Sequence, residues 1–270
     1  MRIDKDRLAL HFGKRADSYD NATPLQHDMA LALVEGARTR LGAHAPARIL
    51  ELGCGTGRMT ARLAEAFPAA RILALDIAPG MIEHARGVVP DAEFIVADAE
   101  AFLANDAGSY DLIISNAAAQ WFEDAAATLA RARARLMPGG LLALATFAQR
   151  TFRELDDAFA RAYDTLGMAP GRHVVDLPAI DAWRAWLPGA ECDEREVERV
   201  FPDVRAFLRS VQQAGAVNAM EGPHVLAKSV WREMTRAYVA HHAAPSGDGI
   251  VATYHVALFF LRADEVPVSV

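Results

Sequence analysis

A run of glycines at the exit of an apolar strand constrains this chain more than any other feature. Arg48–Leu52 reads as a short buried strand, and Glu51-Leu52-Gly53-Cys54-Gly55-Thr56-Gly57 carries it into a helix. Glycines there let the backbone turn through positive φ and let a ligand approach where a Cβ would stand. A loop so placed, at the carboxyl edge of a parallel sheet, is where doubly wound proteins bind nucleotide-like cofactors. Its spacing, Glu-x-Gly-x-Gly-x-Gly, differs from the Gly-x-Gly-x-x-Gly that aims a helix N-terminus at a pyrophosphate. The difference counts against a nicotinamide oxidoreductase and suits a cofactor without a pyrophosphate.

From Arg48 to Phe147 short apolar runs alternate with amphipathic stretches, as expected of a parallel sheet with helices on both faces. The pattern predicts strands at 48–52, 71–76, 92–97, 110–115 and 141–147. Helices are expected at 57–67, 79–87 and 124–136, the last closed by Pro138-Gly139-Gly140. Leu25, Met29, Leu33, Ala37 and Leu41 recur every fourth residue and predict a helix packed on the sheet, with a shorter one over Leu8–Tyr19 before it. Beyond Phe147 come a helix at 151–166, an amphipathic piece around Trp183 and Trp186, a strand at 193–201, helices at 204–214 and 225–242, and a β-rich 250–261. The expected fold is therefore α/β: a doubly wound, seven-stranded, mostly parallel Rossmann-like sheet. It is read as one domain over 1–270, with a helical arm (1–45), a cofactor-binding core (46–148), a lid (149–189) and C-terminal elements completing the sheet (190–270).

The 270 residues are 52% hydrophobic, enough for a full core. No apolar run is long enough for a membrane span, and the charged start, Met1-Arg2-Ile3-Asp4-Lys5-Asp6-Arg7, lacks the apolar core of a secretory signal. A cytoplasmic monomer is the expectation. Cys54 and Cys192 stand far apart with no ligand-like neighbours, so neither a disulfide framework nor a metal site is predicted. A formal charge of −7 argues against nucleic acid as partner while leaving room for a local arginine patch.

Two more carboxylates close strands. Asp76 ends the second, where a carboxylate can accept both ribose hydroxyls in the doubly wound plan, and Asp98 ends the third in the same way. Taken with Glu51 and the glycine loop, this constellation resembles the class I methyltransferases over Arg48–Phe147. The resemblance implies S-adenosylmethionine as cofactor, S-adenosylhomocysteine as its product and no metal. It places Gly53, Cys54, Gly55 and Gly57 in the cofactor loop and Glu51 near the cofactor's amino group. Asp98 and the Ala99 backbone go against adenine, Ile77 and Met81 beside ribose and adenine, and Gln26 at the methionine end. Met81 at that spacing also suits plain helix packing.

Outside the core, Phe12-Gly13-Lys14-Arg15-Ala16-Asp17-Ser18-Tyr19-Asp20, Ser115-Asn116-Ala117-Ala118-Ala119-Gln120-Trp121, Phe207-Leu208-Arg209-Ser210-Val211 with Gly215-Ala216-Val217-Asn218, and Ala252-Thr253-Tyr254-His255 look like the malonyl-acyl carrier protein O-methyltransferases of biotin synthesis. That likeness implies a malonyl group on acyl carrier protein or coenzyme A as substrate. It also implies Tyr19 over the transferred methyl, Arg209 on the malonyl carboxylate, and Asn116 and Gln120 at the mouth of the site. A carboxylate, with a reference pKa of about 4, is already the nucleophile at neutral pH, so no strong base is required and none is evident. The lid arginines Arg150, Arg153, Arg161, Arg172 and Arg184 offer a face to an acidic carrier, or are simply its wet side. Esterification of another small acid such as aconitate, and a non-catalytic cofactor-binding protein, are the competing readings.

Overall fold

β1 (Arg48–Leu52) pairs in parallel with β2 (Arg71–Asp76), Arg48 opposite Arg71 and Leu52 opposite Leu75. On its other edge β1 pairs with β4 (Tyr110–Asn116), Glu51 opposite Ile114. β3 (Glu93–Val96) extends the sheet from β2 and β5 (Leu136–Phe147) from β4, both parallel. With β6 (Glu191–Phe201) and β7 (Ile250–Arg262) the order becomes β3-β2-β1-β4-β5-β7-β6, a seven-stranded mixed sheet. The order reverses between β1 and β4, and the loop after β1 opens at that switch point. These particulars come from a computed structural model that describes residues 4–171, 173, 176–214 and 226–264.

Between the strands run α4 (Arg58–Ala66), α5 (Pro79–Val88), α6 (Ala99–Asn105) and α7 (Ala125–Ala134). Ahead of them stand α1 (Lys5–Gly13), α2 (Ala16–Ala22) and α3 (Pro24–Leu41), and the stripe Leu25, Met29, Leu33, Ala37, Leu41 on α3 is buried throughout. After β5 come α8 (Arg153–Leu166), α9 (Ile180–Trp186), α10 (Val204–Gln213) and α11 (Lys228–His241).

The chain divides into two compact units. The first comprises Met1–Thr146, Pro178–Glu194 and Ala257–Val270. Its core is the sheet interior, where Ile49, Leu50, Leu75, Leu112, Ile113 and Leu142 are essentially inaccessible to water. The second comprises Phe147–Leu177 and Arg195–Val256. There α8, α10 and α11 bury Leu155, Phe207, Met234 and Tyr238 against one another and against Ile250 and Ala252 of β7.

Three local expectations change. The helix over Leu8–Tyr19 is two helices that break at Lys14 and Arg15. Gly13, at the end of the first, lies so close to the start of α5 that a Cβ on Gly80 would stand 2.6 Å from the Gly13 carbonyl oxygen, so position 80 has room only for glycine. The turn assigned to Pro138-Gly139-Gly140 lies within β5. Tyr110 faces Leu136 and the register then slips before Leu112 faces Leu141, so Pro and Gly mark an irregularity in a strand rather than the end of a helix. A seven-residue helix, α6, follows Asp98, which caps it by accepting the Glu100 backbone N–H at 3.1 Å; it is too short to show a helical period.

Candidate functional site

The loop after β1 is tied to β2 before it opens: the N–H groups of Gly53 and Cys54 both donate to the Leu75 carbonyl at 2.8 Å. Gly53 takes φ +75°, and a Cβ there would stand 2.3 Å from the Cβ of Ala118. Gly55 takes φ +55° and its missing side chain faces open space. Gly57, at φ +86°, turns its bare Cα toward Ala85 of α5 and lies on neither cleft wall. The three glycines therefore serve three purposes: Gly53 makes room for Ala118 in the turn after β4, Gly55 leaves the cradle clear of any side chain and Gly57 lets α4 pack on α5.

Two clefts meet at this loop, sharing Tyr19, Gly53, Gly55, Asn116 and Ala117 in their walls. The larger, of about 700 Å³ counted to its mouth, adds Asp76, Ile77, Met81, Asp98 and Ala99. The smaller, of about 480 Å³, adds Gln26, Glu51 and Cys54. All lie in the first unit. Most of the residues expected at the cofactor are thus brought together, and Gln120 and Gly57 are the two not brought to a wall.

Glu51 is inaccessible to solvent. One carboxyl oxygen accepts the Thr60 hydroxyl at 2.7 Å, and the other, Oε1, has no partner. Burial pushes its pKa up to about 8, against the Thr60 hydrogen bond and with help from the charge of Asp76. A buried acceptor without a donor is costly, and an ammonium group would both satisfy it and restore its charge. Asp76 accepts the Gly55 N–H at 2.9 Å and the Ala78 N–H at 2.8 Å, while burial holds its pKa above the usual carboxylate range. Each of its oxygens keeps a further lone pair for a hydroxyl. Asn116 donates to the Gln26 carbonyl at 2.9 Å, leaving its own Oδ1 buried and unpartnered. These features fit a ligand with an amino-acid end, a diol and an apolar ring between Ile77 and Met81.

Gln120 works behind the wall. Its amide donates to the Ala117 carbonyl at 2.9 Å and accepts the Thr146 hydroxyl at 3.2 Å. Ala117 holds φ +52°, unusual for a residue with a side chain, so Gln120 fastens the turn that presents Ala117 and Ala118 to Gly53. Cys54 is buried, and burial first, then Glu51 and Asp76, raises its thiol pKa, which leaves it unreactive.

Sequence reasoning missed three contributors from the arm. Lys5 lines the larger cleft and its ammonium bridges Asp98, at 2.6 Å, and Glu100. Burial works to lower the Lys5 pKa, yet the two carboxylates together hold it raised. Asp20 accepts the Thr56 hydroxyl at 2.6 Å, tying α2 to the glycine loop. Phe12 meets Tyr19 and Trp121 edge-on, with ring centres 6.0 and 6.3 Å apart, and roofs the larger cleft. A charged N-terminal segment gives no hint of Lys5; Asp20 and Phe12 lie inside the Phe12–Asp20 stretch already singled out. Tyr19 itself is held protonated by burial and by the charges of Asp76 and Asp20, so its hydroxyl is a donor at every ordinary pH.

The second unit holds Arg209, exposed on α10. His255 is fully buried there and receives the Arg150 backbone N–H at 3.3 Å, the pattern of a satisfied core histidine. His242 meets Asp157 at 2.8 Å. Among the described residues no group of three or more His, Cys, Asp or Glu side chains is arranged for a metal, and no helix is long and apolar enough to cross a membrane. Arg172 and Gly215–Asn218 lie outside the described residues.

Comparison with known proteins agrees with this geometry. A family model described as a methyltransferase domain matches residues 49–140, which hold β1 to the start of β5 and the whole glycine loop. The malonyl-[acyl-carrier protein] O-methyltransferase of Anoxybacillus flavithermus is 36% identical over 258 residues, covering 94% of this chain and 95% of that one. The protein of the same name from Priestia megaterium is 33% identical over 270 residues, covering 95% and 97%. Among solved structures, YcgJ of Bacillus subtilis superposes with a TM-score of 0.60 at 15% identity, covering 89% of this chain and 100% of that one, a likeness of fold.

Proposed function

This chain belongs to the malonyl-[acyl-carrier protein] O-methyltransferase family, and from that membership we propose that it esterifies the free carboxylate of a malonyl thioester carried on acyl carrier protein or coenzyme A, early in biotin synthesis. S-adenosylmethionine supplies the activated methyl group when bound, and S-adenosylhomocysteine is left. The observation that carries the reading is the buried Glu51 Oε1 without a partner, an acceptor waiting for the cofactor's ammonium.

Around that anchor each residue has a physical task. Asp76 takes the ribose hydroxyls, Asp98 and the Ala99 N–H take adenine, and Ile77 and Met81 cover its faces. Gly53, Cys54 and Gly55 give the backbone floor, and Gln26 with Asn116 closes the methionine end. Gly57 and Gln120 act on the shape of this floor. Tyr19 donates its hydroxyl toward the acceptor carboxylate, and Arg209 grips that carboxylate in two-pronged geometry without removing its nucleophilicity. No general base is called for, because a malonyl carboxylate is ionised at neutral pH, so rate comes from in-line positioning and from excluding water while sulfonium charge is lost.

The test is mass spectrometry of malonyl-acyl carrier protein after incubation with the methyl donor. One added methyl ester on the malonyl group is expected; methylation of free polycarboxylic acids alone would replace this reading with a small-acid methyltransferase.

A further inference from the structure

Of the five arginines that first suggested a carrier-binding face, the four among the described residues are already engaged. Arg150 and Arg153 both close on Glu196, Arg161 pairs with Asp157 at 2.7 Å, and Arg184 pairs with Glu194 at 3.0 Å. An engaged guanidinium has little to offer a second anion.

A group of cations without ion pairs among the described residues lies elsewhere in the second unit. α10 and α11 together carry Arg205, Arg209, Lys228, Arg232 and Arg236 against one acidic side chain, Glu233, which Arg236 occupies at 2.7 Å. Arg205, Lys228 and Arg232 are exposed, and none is in an ion pair among the described residues. Lys228 and Arg232 are one helical turn apart on α11, and the Arg205 guanidinium sits 5.3 Å from the centre of the Trp231 ring, which joins the two helices into one surface. Such a concentration of positive charge stands out in a chain of formal charge −7. Holding like charges together on one face costs stability unless a negative partner uses them.

We infer that the face formed by Arg205, Lys228 and Arg232 on α10 and α11 docks an acidic protein, the carrier domain that bears the malonyl thioester. The inference rests on the proposed substrate. A nucleic acid is a poorer fit: its backbone would meet one short positive face on a chain of formal charge −7.

The experiment compares two thioesters with the same acyl group. Malonyl-acyl carrier protein brings the acidic domain; malonyl-pantetheine brings neither protein nor phosphate. The triple variant Arg205→Glu, Lys228→Glu, Arg232→Glu should lose on the order of thirtyfold in kcat/KM for the carrier substrate, and stay within about twofold for malonyl-pantetheine. Calorimetric titration with unloaded carrier should show a matching loss of affinity, and short duplex DNA should not compete at physiological salt. If charge reversal unfolds the protein, the triple glutamine variant carries the same comparison. Equal loss on both substrates, unchanged carrier affinity, or displacement of carrier by DNA would overturn the docking face while leaving the substrate standing. Failure of the wild-type protein to methylate either thioester would overturn the substrate and the docking face together.

Discussion

Glu51 receives the Thr60 hydroxyl on one carboxyl oxygen at 2.7 Å and keeps the other buried with nothing to accept from. Its pKa, pushed up to about 8 by burial, makes that unmet acceptor a pH-dependent one. The folded protein binds a proton here that the unfolded chain, at about 4.3, has already released. Ligand-free stability should therefore fall as pH rises from about 4.3 to about 8, and Glu51→Gln should flatten that slope. Cofactor binding runs the opposite way, because an ammonium favours the carboxylate. Affinity should climb with pH, by up to about tenfold per unit, and level off above about 8, with one proton released in calorimetry. A pH-independent affinity in the wild-type protein would remove Glu51 from the cofactor.

Gly53 and Gly55 share a positive φ but differ in what a methyl group would meet. Gly53→Ala drives a Cβ into Ala118, so about 2–4 kcal/mol of stability should go, from strain and overpacking together. Gly55→Ala meets nothing in the protein and should cost only about 1–2 kcal/mol. Its effect belongs to the ligand: cofactor affinity should fall by more than about tenfold as the cradle fills. Thermal unfolding with and without cofactor separates the two, and a Gly55→Ala protein of normal affinity would place the cofactor elsewhere.

How much of this was legible depends on whether the signal was local. The strands β1 and β2, the α3 stripe and the glycine loop each repeat a pattern within a few residues, and all stand where periodicity put them. Asp76 and Asp98 could be placed because strand ends in a doubly wound sheet converge on one edge. Lys5 was invisible because its partners, Asp98 and Glu100, are more than ninety residues away in sequence. Gln120 shows a different limit. The sequence put it at the mouth of the site, but only the carbonyl of Ala117 and the hydroxyl of Thr146 reveal that its amide braces a strained turn. The lid arginines looked available because no sequence pattern shows that Glu196 reaches back to two of them.

Lys5 fastens the arm over the larger cleft through Asp98 and Glu100. Lys5→Met keeps the apolar stem and removes the charge. Because the pair is partly exposed, global stability should change by no more than about 1 kcal/mol. Amide exchange over 5–13 should nonetheless quicken severalfold, since local opening and not global unfolding is what the bridge restrains. Unchanged exchange in α1 would show that Phe12 and Gly13 hold the arm without it.

Tyr19→Phe removes one hydroxyl and keeps the ring against Phe12. Methyl transfer should slow on the order of 10²-fold in kcat through lost positioning, with cofactor affinity within about twofold of wild type. The same variant separates an enzyme from a cofactor-binding protein without chemistry, since the latter has no rate to lose. If transfer continues at the wild-type rate, the Tyr19 hydroxyl does not touch the acceptor.

Arg209 follows Arg205 by one turn of α10, so its guanidinium is the one cation with two candidate tasks. If it grips the malonyl carboxylate, Arg209→Gln should cut kcat/KM by on the order of 10²-fold for malonyl-acyl carrier protein and malonyl-pantetheine alike, because both present that carboxylate. Arg209→Lys should recover only part of the loss, a point charge being a poor substitute for a planar fork. If Arg209 instead belongs with Arg205 on the docking face, the carrier substrate alone will suffer, the loss will shrink with added salt, and lysine will serve as well as arginine. Rates on the two thioesters at low and high ionic strength, with these two substitutions, assign the side chain to the acceptor or to the carrier.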